Sequence, residues 1–127
     1  MSKKLQLIQN KVESIRYGLL RFSEGSDQQA MHVSTSIDND QLLNCIIKGD
    51  TGNTTFLNRQ VSLIQKNEDD YLYISGRIND EVKTHCKVVS LQITKACWFT
   101  RKRKGNTVWL QEKYIYQTPG ENIEKAS

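Results

Sequence analysis

Lys87-Val88-Val89-Ser90-Leu91-Gln92-Ile93-Thr94-Lys95-Ala96-Cys97-Trp98-Phe99 is the stretch on which the fold turns. Val89, Leu91 and Ile93 alternate with Val88, Ser90, Gln92 and Thr94, the two-residue period of a strand with one face in a core and one facing outward. No helix would place those three residues on one stripe. Val108, Leu110, Glu112 and Tyr114 repeat the pattern after Lys104-Gly105-Asn106, so a hairpin with one partly solvated face is expected there.

Upstream, Tyr71 to Ile78, Val61 to Gln65 and Leu42 to Ile47 are runs of strand length rich in β-branched and aromatic residues. They are separated by Asn67-Glu68-Asp69-Asp70 and by the break from Gly49 to Asn53. Ala30 to Ile37 alternates Met31, Val33, Thr35 and Ile37 with His32, Ser34 and Ser36, giving a strand whose polar face is rich in hydroxyls. Tyr17 to Phe22 pairs with it through a turn at Ser23 to Asp27. Leu5, Ile8, Val12 and Ile15 recur at helical spacing, so a helix is expected from about Ser2 to Ser14. Thr54 to Arg59 has room for one or two helical turns capped by Thr51 or Asn53. The sum is a mainly β protein: a small antiparallel barrel of about seven strands with an N-terminal helix and one short helix. Residues 1–117 are expected as a single domain and 118–127 as a loose polar tail.

Composition narrows the function classes. The chain has 127 residues and 37% hydrophobic residues, enough for one modest core. No run approaches the roughly 18 apolar residues of a membrane helix, and the residues after Met1-Ser2-Lys3-Lys4 are too polar for a secretory leader, so a cytoplasmic protein without a membrane partner is expected. Three cysteines without a close pair suggest neither a disulfide framework nor a zinc site. The formal charge of +4 equals the four cations of Arg101-Lys102-Arg103-Lys104, so the basicity belongs to one hairpin, read as a solvated tip. Nucleic acid is not expected as a partner, because no recognition motif accompanies that run. No catalytic triad, phosphate-binding glycine loop or His-Glu-x-x-His is present. Trp98 and Trp109 could wall a ring-shaped ligand or fill a core or interface.

The order of elements, together with Ile15-Arg16-Tyr17-Gly18-Leu19-Leu20, Leu42 to Ile47, Asn58-Arg59-Gln60-Val61-Ser62-Leu63 and Tyr73-Ile74-Ser75-Gly76-Arg77-Ile78, resembles the pyridoxamine 5'-phosphate oxidase-like split barrels of the short general-stress type. The resemblance spans roughly Leu5 to Gln111. It implies a homodimer that binds FMN, or another small phosphorylated ligand, at its interface and, if it is an enzyme, a flavin-dependent oxidoreductase whose substrate the sequence does not name. Carried onto this chain, the cofactor-binding positions are His32, Ser34 and Ser36 on one strand, Ile47 and Lys48 at a strand end, and Thr51, Asn53 and Thr54 in the following turn. The phosphate site is degenerate: Ser34 or a neighbour replaces an arginine of the family, and Asp50-Thr51-Gly52-Asn53 replaces its cluster of cations, leaving Lys48 as the visible positive charge. A homodimer without cofactor, acting as a binding or structural module, is the other reading of the same residues.

Overall fold

A computed structural model describes residues 3–24, 26–38, 42–48 and 55–117. The element order is α1 (Lys3–Ile15), β1 (Tyr17–Glu24), β2 (Asp27–Ile37), β3 (Leu43–Ile47), β4 (Gln60–Asn67), β5 (Asp70–Lys83), β6 (Lys87–Lys104) and β7 (Thr107–Gln117). All strand pairs are antiparallel in the order β3-β2-β1-β4-β5-β6-β7, and a further β3–β6 pairing closes the first six strands into a barrel. Closure leaves those strands without free edges. The expected mainly β barrel with an N-terminal helix is therefore the fold.

Inward alternation builds the core. Leu20, Phe22, Leu43, Cys45, Leu63, Leu72, Ile74, Ile78, Val89 and Leu91 are all buried, and Ile8 and Val12 of α1 join the same cluster. The helix ends on Arg16, whose N–H donates to the Val12 carbonyl at 2.9 Å and whose φ of 70° turns the chain into β1. Lys11 fastens the helix from outside: its Nζ is 2.8 Å from Asp70 Oδ2 and 4.4 Å from the centre of the Trp98 ring. Trp98 thus packs partly against the core and carries Lys11 over its face.

Three details differ from the sequence expectation. Residues 55–59 form a turn closed by Arg59 N–H donating to the Phe56 carbonyl, and Asn58 at φ 65° ends any helical run there. The remainder of the expected short helix, with Thr51, Asn53 and Thr54, lies outside the described residues. Arg101 to Lys104 are strand residues of β6 paired with Leu110 to Thr107, so the tip is Gly105-Asn106, with Gly105 at φ 61°. Charged residues tolerate a strand whose two faces both meet water. Finally, the inward alternation of β6 changes phase at a register shift opposite Ser75/Gly76, so Ala96 is buried after the buried Leu91 and the partly buried Ile93. Gly76 permits that close approach, since a Cβ there would sit 2.1 Å from the Gln92 carbonyl oxygen.

Candidate functional site

The hairpin β1–β2 sets the first half of the site. Its register places Tyr17 opposite Ser34, Gly18 opposite Val33 and Leu19 opposite His32, and β2–β3 pairing places Ile46 on the other side of Ser34. Directly opposed residues share a face, so Tyr17, Ser34 and Ile46 form one cross-strand row on the outside of the barrel. Continuing the same register past Ile47 brings Lys48 level with His32. These side chains, with Gly18 and Val33, line a groove of about 350 Å³.

The local sequence explains the shape. A Cβ on Gly18 would lie 2.8 Å from the Ile64 carbonyl oxygen and 2.9 Å from Gln65 Cγ, so only glycine lets β1 approach β4 here. Gln65 is fully buried, and its amide nitrogen donates to the Tyr17 carbonyl and to Thr35 Oγ1, each at 3.0 Å. These bonds tie β1, β2 and β4 together directly beneath the groove. Rigid strands rather than loops therefore set the positions of Tyr17, His32 and Ser34.

The expected residues divide clearly. His32, Ser34 and Lys48 come together around the groove. Ser36, two residues along the same face, lines a separate depression with Glu13, Arg16 and Thr35. Ile47 is 1% exposed and its side chain belongs to the barrel core, while its neighbours Ile46 and Lys48 are the ones on the groove. Thr51, Asn53 and Thr54 lie outside the described residues. The aromatic and apolar wall, Tyr17 and Ile46, is absent from the sequence-based set. Its signal was the turn expected between Ser23 and Asp27: once the hairpin register is fixed, Tyr17 must face Ser34.

The groove offers one ammonium, one hydroxyl and one imidazole beside a phenol ring that is 61% exposed. Such a set suits an anionic group attached to a flat ring: cation and hydroxyl for the anion, phenol and isoleucine for the ring. Cysteine chemistry does not belong here. Burial pushes the Cys45 thiol up to about 12, so it stays protonated inside the barrel. The Cys97 thiol is also raised, mainly by burial and further by Glu112, against the opposing charge of Lys95. Among the described residues no group of three potential ligands could hold a metal ion. No helix among them is long and apolar enough to cross a membrane.

No family model and no curated protein sequence matches the chain. Solved structures do. A NimC/NimA family protein from Clostridium acetobutylicum superposes with a TM-score of 0.58 at 10% identity, covering 87% of this chain and 93% of that one. The FAD binding protein from Mycobacterium smegmatis gives a TM-score of 0.52 at 9% identity, covering 77% and 93% respectively. At these identities the likeness is one of fold, and it fits a split barrel.

Proposed function

We propose that this split barrel binds a flavin, with FMN as the species that fits the groove, and that it does so as a homodimer. The observation that carries the reading is the convergence of His32, Ser34 and Lys48 beside the exposed ring of Tyr17. Lys48 would pair with the phosphate, Ser34 would donate to it, and Tyr17 with Ile46 would lie against the ring system. A bound flavin supplies electron and hydride transfer, while the protein contributes position and electrostatics. The FAD binding of the structurally similar mycobacterial protein supports a flavin in this fold.

The dimer rests on the outer face that continues from the groove. His32, Leu19, Ile64, Tyr73, Cys97 and Ile115 lie on one cross-strand row; Cys97 is already buried within the chain, and Leu19, Ile64 and Ile115 are apolar. Tyr73 and Ile115 are 39% and 37% exposed. A second copy covering that row would bury it and enclose the flavin ring.

One cation beside a phosphate gives weak retention. The purified protein is expected to be largely colourless and to take up added FMN at micromolar or poorer affinity, with riboflavin bound about tenfold less tightly and Lys48→Ala losing about tenfold for FMN. Fluorescence titration measures all three, and light scattering should return about twice the mass of the 14.7 kDa chain. A dimer that binds neither flavin at millimolar concentration would establish the cofactor-free module instead.

A further inference from the structure

The outer face holds another concavity, which shares no residue with the groove. About 320 Å³ in volume, it lies over β1, β4 and β5 and is lined chiefly by Arg21, Ser23, Gln60, Ser62, Tyr73 and Ser75. Pairing explains the cluster: Arg21 faces Ser62, and Ser62 faces Ser75, so a guanidinium and two hydroxyls stand in one row. Tyr73 reaches that row from the next level, its hydroxyl 3.0 Å from Ser62 Oγ. Gln28, also on the lining, donates to Ser23 Oγ at 2.8 Å.

Two features give this pocket a chemical direction. Among the described residues of its lining, every polar side chain carries an N–H or O–H donor and none is a carboxylate. Arg21 is exposed and makes no ion pair with a carboxylate among the described residues. Further positive charge stands at its margins. Lys95 is paired opposite Ser75, and the Arg59 guanidinium donates to the Ser23 carbonyl at 3.1 Å. A forked guanidinium facing hydroxyl donors on a rigid sheet is complementary to an oxyanion.

We infer that this pocket is an oxyanion subsite, taking a phosphate, sulfate or carboxylate group of a small ligand, with Arg21 as its anchor and Ser62, Tyr73 and Ser75 as neutral donors. Its donors do not depend on the flavin reading, because Lys48, His32 and Ser34 take no part in it; Tyr73 alone is shared with the row proposed for the dimer, so the pocket lies at that row's margin. Its position on the same outer face as the groove would set a bound anion beside whatever the groove holds.

Two-dimensional amide NMR of the full chain, titrated with inorganic phosphate and separately with acetate at constant ionic strength, tests it. The expected result is saturable shifts at Arg21, Ser62, Tyr73 and Ser75, weakened about tenfold or more in Arg21→Ala. Lys48→Ala and the charge control Arg103→Ala should titrate like the wild type. A stronger response to phosphate identifies a tetrahedral anion, and a stronger response to acetate a carboxylate. Arg21 is exposed, so its variant should keep the wild-type amide spectrum outside the pocket. Shifts that never saturate, that follow Arg101 to Lys104, or that are the same in Arg21→Ala would overturn the subsite.

Discussion

Strand β6 lives in two environments. Its first part, Lys87 to Leu91, is flanked on both sides by β3 and β5 and sends Val89 and Leu91 into the core at 0% and 1% exposure. Its last part, Arg101 to Lys104, has β7 alone as a strand partner, and the facing residues Val108, Trp109 and Leu110 are 47%, 44% and 53% exposed. Apolar residues occur in both places, so composition does not separate them. Strands on both sides and a core beneath convert alternation into burial; one partner strand leaves the same residue types in water.

The largest contrast should come from matched truncations. Leu91→Ala is expected to cost about 2–5 kcal/mol, the range for a leucine removed from a packed interior. Leu110→Ala should stay within about 0.5 kcal/mol, as for an exposed position without special contacts. Urea denaturation of both variants measures the pair. Equal costs would mean that the ribbon is packed as tightly as the barrel.

Next in size is Gly76→Ala. Its Cβ would meet the Gln92 carbonyl oxygen at 2.1 Å, a backbone atom that cannot swing aside, so the strain should reach about 1–3 kcal/mol. Gly105→Ala would meet no atom within 4 Å, and only its positive φ should be felt, at about 1 kcal/mol. The ratio of the two sharpens the distinction between a glycine needed for space and one needed for backbone conformation.

Asp70 marks the boundary between the two environments, because its pairing with Thr100 is the last between β5 and β6 before the ribbon. Burial raises the Asp70 carboxyl, but hydrogen bonds from Lys11, Trp98 and Thr100 and the charge of Lys11 together hold it below the usual carboxylate value. A folded value below the unfolded one stabilises the protein above the unfolded value, and that contribution is lost as pH falls through the folded value. The stability gap between wild type and Asp70→Asn, read from urea midpoints, should therefore be present at neutral pH and shrink in strong acid. A gap that grew on acidification would reverse the assignment.

The smallest effect is expected from replacing Arg101, Lys102, Arg103 and Lys104 together by serine. Arg101 pairs with Asp69 at 3.1 Å, yet both groups are well exposed, so the thermal midpoint should barely move.

Much of this arrangement was legible in the alternating residues. Met31 to Ile37 and Val88 to Thr94 announced strands because burial on one face imposes a period that the sequence must carry. The phase change before Ala96 was not legible, since a bulge depends on how the partner strand at Gly76 packs. His32, Ser34 and Lys48 could be picked out as donors by type. Placing Tyr17 and Ile46 beside them needed the pairing register, and assigning Ile47 to the core needed the strand's orientation at its end. The cluster around Arg21 joins β1 to the β4–β5 hairpin, far from it in sequence, and left no local pattern.

The proposed flavin site lies on the barrel's outer face, where few charges converge, and not on the ribbon, where four stand in a row. FMN fluorescence titration of the wild type, Lys48→Ala and the four-serine ribbon variant, side by side, tests it most directly. About tenfold weaker binding is expected in Lys48→Ala and unchanged binding in the ribbon variant. Loss of flavin from the ribbon variant, with Lys48→Ala binding like the wild type, would contradict it.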